Sequence, residues 1–284
     1  MALTAARLKA YCDRTYRRTA TRQVRSIDAA LGFVEERGYT FFWPIKGIEL
    51  PSLWVAVAGS RPVASEHNDP GHITWGWKDR WLGEKKWFYA KVLRGKATMI
   101  ALQALPYFYA LSENYGDIND YRLQYEAGQM TAEARQVYEA LLDKGPLDTV
   151  SLRREARLTS KDSNTRFERA LTELQRDFKI LPVGVAEAGA WNYAYIYELV
   201  GRWFPTLAEQ ARPIGRGEAR ARLTDLYLES VGAATAAQVC KLFGWRADDA
   251  RRALDKLAAA GRAQPVDEID KAAGPWWVTL KLLK

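Results

Sequence analysis

Histidine and cysteine are nearly missing from this 284-residue chain, with two of each. Cys12 and Cys240 stand far apart and match no metal-ligand spacing. Neither a disulfide framework nor a zinc module is expected, and a reducing, cytoplasmic setting is the simplest reading. Long apolar runs are missing too. The longest lie in stretches such as Ile100–Leu111, which is broken by Gln103 and Pro106. They reach about eight residues, far short of the roughly 20 that a membrane-spanning helix needs. No membrane partner, no metal and no cofactor are therefore expected. With 48% hydrophobic and 27% charged residues, the composition also excludes a disordered chain.

Basic charge and tryptophan are plentiful. Lys and Arg number 42 against 34 Asp and Glu, a formal charge of +8. The excess falls on both sides of residue 130 and favours a polyanionic partner, mildly, because a mixed-sign surface is easily screened. The first 25 residues hold seven basic residues and a single acid, Asp13. A targeting segment has that composition. The recurrence of Leu3, Leu8 and Tyr11 at helical spacing favours an amphipathic first helix instead.

Residues 131–205 read as one unit. Thr131 caps a helix through Leu142, and Gly145-Pro146 stops it; Asp148 caps a short helix, Thr149–Arg157. A third helix places Phe167, Ala170, Leu171, Leu174 and Phe178 on one face. A hairpin of Lys179–Val185 and Ala190–Glu198 follows, with Trp191, Tyr193, Tyr195 and Tyr197 alternating. Residues 214–284 run through the same order. Helix Glu218–Ser230 precedes a short helix capped by Thr235, then helix Arg246–Ala260, then strands Ala263–Val266 and Trp276–Leu282. Helix, short helix, helix, hairpin is the order of a winged helix, and its repetition is hard to obtain by accident.

The expected class is therefore mainly α with small β wings (α+β), in tandem winged-helix units. Residues 1–130 form a Trp-rich, basic module with strand-like pieces at Tyr39–Pro44 and Leu53–Ala58. Helices are expected over Leu3–Arg18, Thr21–Arg37, Trp87–Arg94 and Met99–Leu111. A third, degenerate winged helix is the expected form of this module.

In a helix-turn-helix, the N-terminal residues of the third helix meet base edges. In the first unit its outer face offers Asn164, Thr165, Arg166, Arg169 and Arg176. Arg pairs with guanine and Asn with adenine through two hydrogen bonds. The alternative is a solvated face with pairs such as Arg169–Glu173. Arg153, Arg154, Arg157 and Lys161 are positioned to anchor phosphates. The second unit offers Arg246, Arg251, Arg252 and Lys256, interrupted by Asp248, Asp249 and Asp255, and is the weaker DNA contact.

His67 and His72 frame Asn68-Asp69-Pro70-Gly71, strong turn chemistry. They are loop histidines or, with Glu66, an acid–base cluster or a metal site. Trp43, Trp54, Trp75 and Trp77, with Lys46 and Lys78, either fill a small core or make a pocket that stacks an extruded base. Asp28 and Asp79 are the carboxylates nearest to them in sequence.

From about Tyr39 onward the chain resembles the winged-helix DNA glycosylases of the AlkZ type, which unhook interstrand crosslinks. The resemblance is carried by Val137–Pro205. It includes Leu141-Leu142-Asp143-Lys144-Gly145-Pro146, Phe167–Leu174, Tyr197-Glu198-Leu199 and Phe204-Pro205. It continues more weakly over Ala219–Leu257, and Phe41-Phe42-Trp43 looks like a strand before the active-site region. It implies three tandem winged helices that cradle a duplex, and hydrolysis of the bond between an alkylated base and its sugar. The family's Gln-apolar-Gln/Asp signature is met only at one end, by Gln23-Val24-Arg25 and Ser26-Ile27-Asp28. Its Trp-Ala-His reads Trp43-Pro44-Ile45 here, and its C-terminal β-rich domain has no counterpart in these residues.

The expected function is binding of double-stranded DNA, damaged or intact. An active glycosylase using Asp28, His67 or His72 to activate water is the second expectation, and a protein-interaction module that has lost DNA is the third.

Overall fold

The computed structural model describes residues 3–112, 114–189, 191–270 and 272–284. Helix α1 (Ala5–Thr15) leads into three successive units with one order of elements. The first is α2 (Ile27–Arg37), β1 (Tyr39–Phe41), α3 (Leu53–Ala58), α4 (Ile73–Gly83), β2 (Phe88–Ala90) and β3 (Thr98–Ile100). Helices α5 (Leu105–Tyr109) and α6 (Asp120–Glu126) connect it to the second. That unit comprises α7 (Ala132–Lys144), β4 (Leu147–Asp148), α8 (Thr149–Glu155), α9 (Asn164–Arg176), β5 (Ile180–Ala186) and β6 (Ala194–Leu199). After α10 (Val200–Trp203) and α11 (Leu207–Ala211) comes the third. It is built of α12 (Arg216–Val231), β7 (Ala233–Ala234), α13 (Ala236–Phe243), α14 (Ala247–Ala259), β8 (Ala263–Ile269) and β9 (Ala272–Thr279), with α15 (Leu280–Leu283) at the end.

Each unit closes a three-stranded antiparallel sheet in which its last strand lies between the other two: β1-β3-β2, β4-β6-β5 and β7-β9-β8. The fold is α+β. Among the described residues, no helix is long and apolar enough to cross a membrane.

Local chemistry sets the boundaries. Ser26, Ser52, Thr131, Asp148 and Thr235 each accept a backbone N–H at a helix start, which satisfies donors the helix cannot pair itself. Thr235 and Gln238 complete a reciprocal capping box. Gly38 and Gly232 end α2 and α12 with positive φ. They also let other elements close in. A Cβ on Gly38 would lie 2.7 Å from Leu226 of α12, and one on Gly232 would lie 2.7 Å from Leu8 of α1.

The second unit has its own core around Val137, Leu141, Leu152, Phe167 and Leu174. A larger core joins all three units, with Tyr39 and Phe88 of the first, Phe178 and Leu181 of the second, and Leu226 and Trp277 of the third. Burial of this size is the dominant favourable term in folding.

The first unit departs most from expectation. Leu53–Ala58 is a helix rather than a strand: Ser52 caps its start, whereas its run of four buried residues is a pattern that does not distinguish the two. Trp87–Arg94 is not a helix: Phe88–Ala90 forms β2. Met99–Leu111 divides into β3 and α5, the latter started by Pro106. Helix α2 begins at Ile27, not Thr21. In the second hairpin, β6 starts at Ala194, so Trp191 and Tyr193 precede it, and Ala190 lies outside the described residues. Phe178 lies beyond the end of α9 at φ 56°.

Candidate functional site

Helix α4 carries Trp75, Trp77, Lys78 and Asp79 and packs against β5 of the second unit. Lys78 is fully buried. Its Nζ donates to Tyr193 Oη at 2.9 Å and to Tyr195 Oη, and lies 2.6 Å from Asp79 Oδ1. Tyr193 Oη donates in turn to Asp79 Oδ1 at 2.9 Å. The three ammonium donors are thus satisfied, and the rings of Tyr195, Tyr89 and Trp75 surround the cation at 4.4, 5.3 and 5.3 Å. Burial pushes the Lys78 pKa down to about 8, opposed by Asp79. Burial also pushes the Tyr89, Tyr193 and Tyr195 phenols above their ordinary value, so they stay neutral at pH 7.

This arrangement predicts a pH profile. The folded Lys78 pKa lies below the ordinary 10.5. Between roughly pH 8 and 10 the unfolded chain therefore holds a proton that the folded one has released, and stability rises by about 1 kcal/mol per pH unit. Below pH 8 both states are protonated and this slope vanishes. Cys12, pushed up to about 11 by burial, pulls the other way above pH 9. The raised tyrosines do so above pH 10. Urea unfolding of wild type and Lys78→Met at pH 7.5, 8.5 and 9.5 isolates the lysine. A wild-type-minus-variant difference that does not change with pH would show that the ammonium is solvated in the folded state.

Two cavities flank the loop that precedes α4. One, of about 410 Å³, is lined by Trp43, Val63, Ala64, Ser65, His67, His72 and Trp75. The other, of about 480 Å³, is lined by Gln23, Val24, Arg25, Arg61 and Trp77 among others. Between them Trp54 is fully buried, with the Arg61 guanidinium 5.0 Å from its ring and the His72 ring 5.2 Å away. Arg61 pairs with Asp69, which closes the loop on itself before α4. Gly71 has to be glycine here, since a Cβ would lie 2.8 Å from Trp54. His72 Nε2 donates to the Ala64 carbonyl at 3.1 Å. His72 Nδ1 and the indole nitrogens of Trp43 and Trp75 are buried without partners. An unpaired buried polar atom costs about 1–3 kcal/mol.

The structure therefore divides the expected base pocket. Trp43 and Trp75 face one cavity and Trp77 the other. Trp54 is core, Lys46 is exposed, and Lys78 is sealed among the aromatic rings. His67 and His72 join Trp43 and Trp75. Asp28 lines neither cavity; it is exposed in the first turn of α2, so the three expected catalytic residues do not converge. Among the described residues, no three His, Cys, Asp or Glu side chains come together as a metal site.

The basic helices also sort themselves. Arg153 is not free for phosphate: it donates to the carbonyls of Leu158 and Ser160 and to Ser163 Oγ, fixing the turn before α9. Arg154, Arg166 and Arg176 pair with Glu155, Glu133 and Asp177. The pair Arg169–Glu173, given above as the alternative to a DNA contact, does not form, because Glu173 accepts from Thr131 instead. Arg157, Lys161, Asn164, Thr165 and Arg169 remain exposed around the start of α9. On α14, Arg251 pairs with Asp255 and Arg252 with Asp249, while Arg246 is exposed. The cage tyrosines were missed by sequence reasoning; their signal was the tyrosine alternation before and along β6. Trp191, which the alternation assigns to the strand, stands 85% exposed beside it.

The sequence profile of the AlkZ-related family matches residues 24–244. The chain belongs to the AlkZ-related family. Its structure is similar to that of the Streptomyces sahachiroi DNA glycosylase AlkZ, with a TM-score of 0.62 and 12% sequence identity. The likeness covers 99% of this chain and 71% of that one, and at this identity it is a likeness of fold. No curated protein sequence matches the chain. Both the lysine cage and the Trp43–His72 cavity fall inside the AlkZ-related segment, whereas Gln23 lies just before it.

Proposed function

We propose that the three units are winged helices and that this AlkZ-related protein grips double-stranded DNA with them. The observation that carries the reading is the threefold repetition of helix, strand, helix, helix and hairpin with one strand order. The units contribute unequally. Helix α4, which follows the two-helix corner of the first unit, is covered by the second unit's hairpin and does not enter a groove. Helix α14 neutralises two of its arginines itself. The start of α9, with Asn164, Thr165 and Arg169 beside Arg157 and Lys161, is the principal groove contact, and the wing tip adds Trp191.

The test is fluorescence anisotropy with a labelled duplex at two salt concentrations. Affinity is expected to fall with salt, and Arg169→Ala to weaken binding and lower the salt slope by about 1. Trp191→Ala is expected to weaken binding by about tenfold, or 1.4 kcal/mol, without changing that slope. Binding indifferent to salt, or none, would leave a protein-interaction module on this fold.

A second reading, base excision, is favoured by the cavity in which two histidines and two tryptophans meet. Release of free base from a duplex carrying alkylated purines tests it. His72→Gln or Asp28→Asn would then reveal which group handles the water. Binding without release would leave a DNA-binding protein.

A further inference from the structure

We propose that the three units share one strip for the phosphates of a single duplex, centred on the turn Leu93–Gly95 of the first unit. The strip runs from the outer face of α9 across this turn to the loop between α13 and α14. The inference rests on the duplex-binding reading and goes beyond it. The first and third units hold the backbone by a turn and a loop, not by the helices α4 and α14 that a groove would receive.

The turn lies where the three units meet. It packs against α9 of the second unit and α13 of the third. A Cβ on Gly95 would lie 3.3 Å from Thr172 of α9, and one on Gly244, at the end of α13, would lie 3.6 Å from Arg94 Nη1. Lys241 of α13 reaches back to the first unit in turn, for its Nζ is 3.3 Å from where a Cβ on Gly47 would stand.

Five cations gather at this junction: Lys46 beside Gly47, Arg94 and Lys96 in and after the turn, Lys241, and Arg246 just past Gly244. All are exposed, and among the described residues none belongs to an ion pair. The carboxylates of the same loops leave them free. Glu49 and Asp248 are exposed and pair with none of them, and Asp249 is engaged by Arg220 and Arg252. On α14, by contrast, Arg251 and Arg252 carry their own acids. Like charges held together without counter-charge repel one another, and a polyanion supplies what the chain does not.

The junction is continuous with the groove contact. Thr172 follows Thr165 by seven residues, so it lies on the same side of α9, roughly 10 Å along the axis. The start of α9 and the turn are therefore neighbours on one surface, and Lys91, just before the turn, ties them through Glu168 at 3.3 Å. Trp245 stacks on Phe243 at 4.1 Å and 8°, which stiffens the loop that presents Arg246. Cations of this kind hold the sugar-phosphate backbone and fix register without reading sequence.

The experiment is fluorescence anisotropy of a labelled duplex with the full chain over a range of salt concentrations. Arg94→Ala and Lys241→Ala are each expected to weaken binding and to lower the salt slope by about 1, and the double variant by about 2. Melting temperatures are expected to stay at the wild-type value, because neither side chain gives up an ion pair. Arg251→Ala is expected to leave the slope alone, since Asp255 already neutralises that guanidinium. Unchanged slopes in Arg94→Ala and Lys241→Ala, beside a lowered one in Arg169→Ala, would overturn the strip and leave the duplex reading standing. A lowered slope in Arg251→Ala and none in Lys241→Ala would put α14 on the DNA and overturn the strip. Wild-type protein that shows no salt-dependent binding would overturn the duplex reading and the strip together.

Discussion

Replacing Asp79 with alanine is expected to destabilise the protein by about 2 kcal/mol at pH 7, although the residue is partly accessible. The reason lies next to it. The Lys78 ammonium has virtually no solvent contact, and Asp79, 2.6 Å away, is the carboxylate that pairs with it. The two phenols that share the cation carry no charge at this pH. Removing one member of a buried ion pair leaves the other uncompensated in a poor dielectric; Lys78, with its pKa already down to about 8, escapes by releasing its proton at a cost of about 1.4 kcal/mol at pH 7, and Tyr193 loses its acceptor. Removing both is different, because an apolar side chain of similar length needs no partner. The double variant Lys78→Met/Asp79→Ala is therefore expected to recover most of what Asp79→Ala loses, and Lys78→Met alone to cost less than Asp79→Ala, because the Asp79 carboxylate keeps its bond from Tyr193 and its contact with water. Urea unfolding of the four proteins completes the cycle. A loss below about 0.5 kcal/mol in Asp79→Ala would mean that water reaches the lysine.

Phe178→Ala is expected to cost about 3–5 kcal/mol, within the range for large-to-small changes in a packed core. Its ring stacks on Phe88 of β2 at 5.2 Å and 29°, and lies 6.5 and 6.1 Å from Phe108 and Tyr109 of α5. Three parts of the chain meet on this one side chain. Its carbonyl accepts from Asn114 Nδ2 at 2.8 Å, which ties in the segment after α5. Because the lost contacts span units one and two, tryptophan fluorescence, to which the first unit contributes six of the eleven indoles, and far-ultraviolet circular dichroism should lose midpoint together. Separate transitions in the variant would show that Phe178 is the joint between units, and an unchanged midpoint would remove it from the core.

Phe178 also shows where sequence reasoning stops. Its spacing from Phe167, Ala170, Leu171 and Leu174 is helical, and those four do form the core of the second unit. The helix ends at Arg176, however, and Phe178 turns at φ 56° into a different cluster. Periodicity identifies a buried residue without saying which core receives it. The second and third units were legible because their helices are amphipathic and start at Thr131, Asp148 and Thr235. The first was not. Its strands are three residues long and buried on both faces, so no alternation marks them. For the site, sequence placed Lys78 among tryptophans, but Tyr193 and Tyr195 lie more than a hundred residues away along the chain. Only the folded chain joins them.

The second unit's hairpin has a mechanical consequence. Trp191 stands in solvent at its outer end, and two residues on, Tyr193 is bonded to Lys78 and Asp79. Asn192, between them, is held at φ 51°. Such a hairpin is a short lever with its fulcrum at the lysine. A push on the indole at its tip is carried to α4, and so to the back of Trp75, or is absorbed by bending at Asn192.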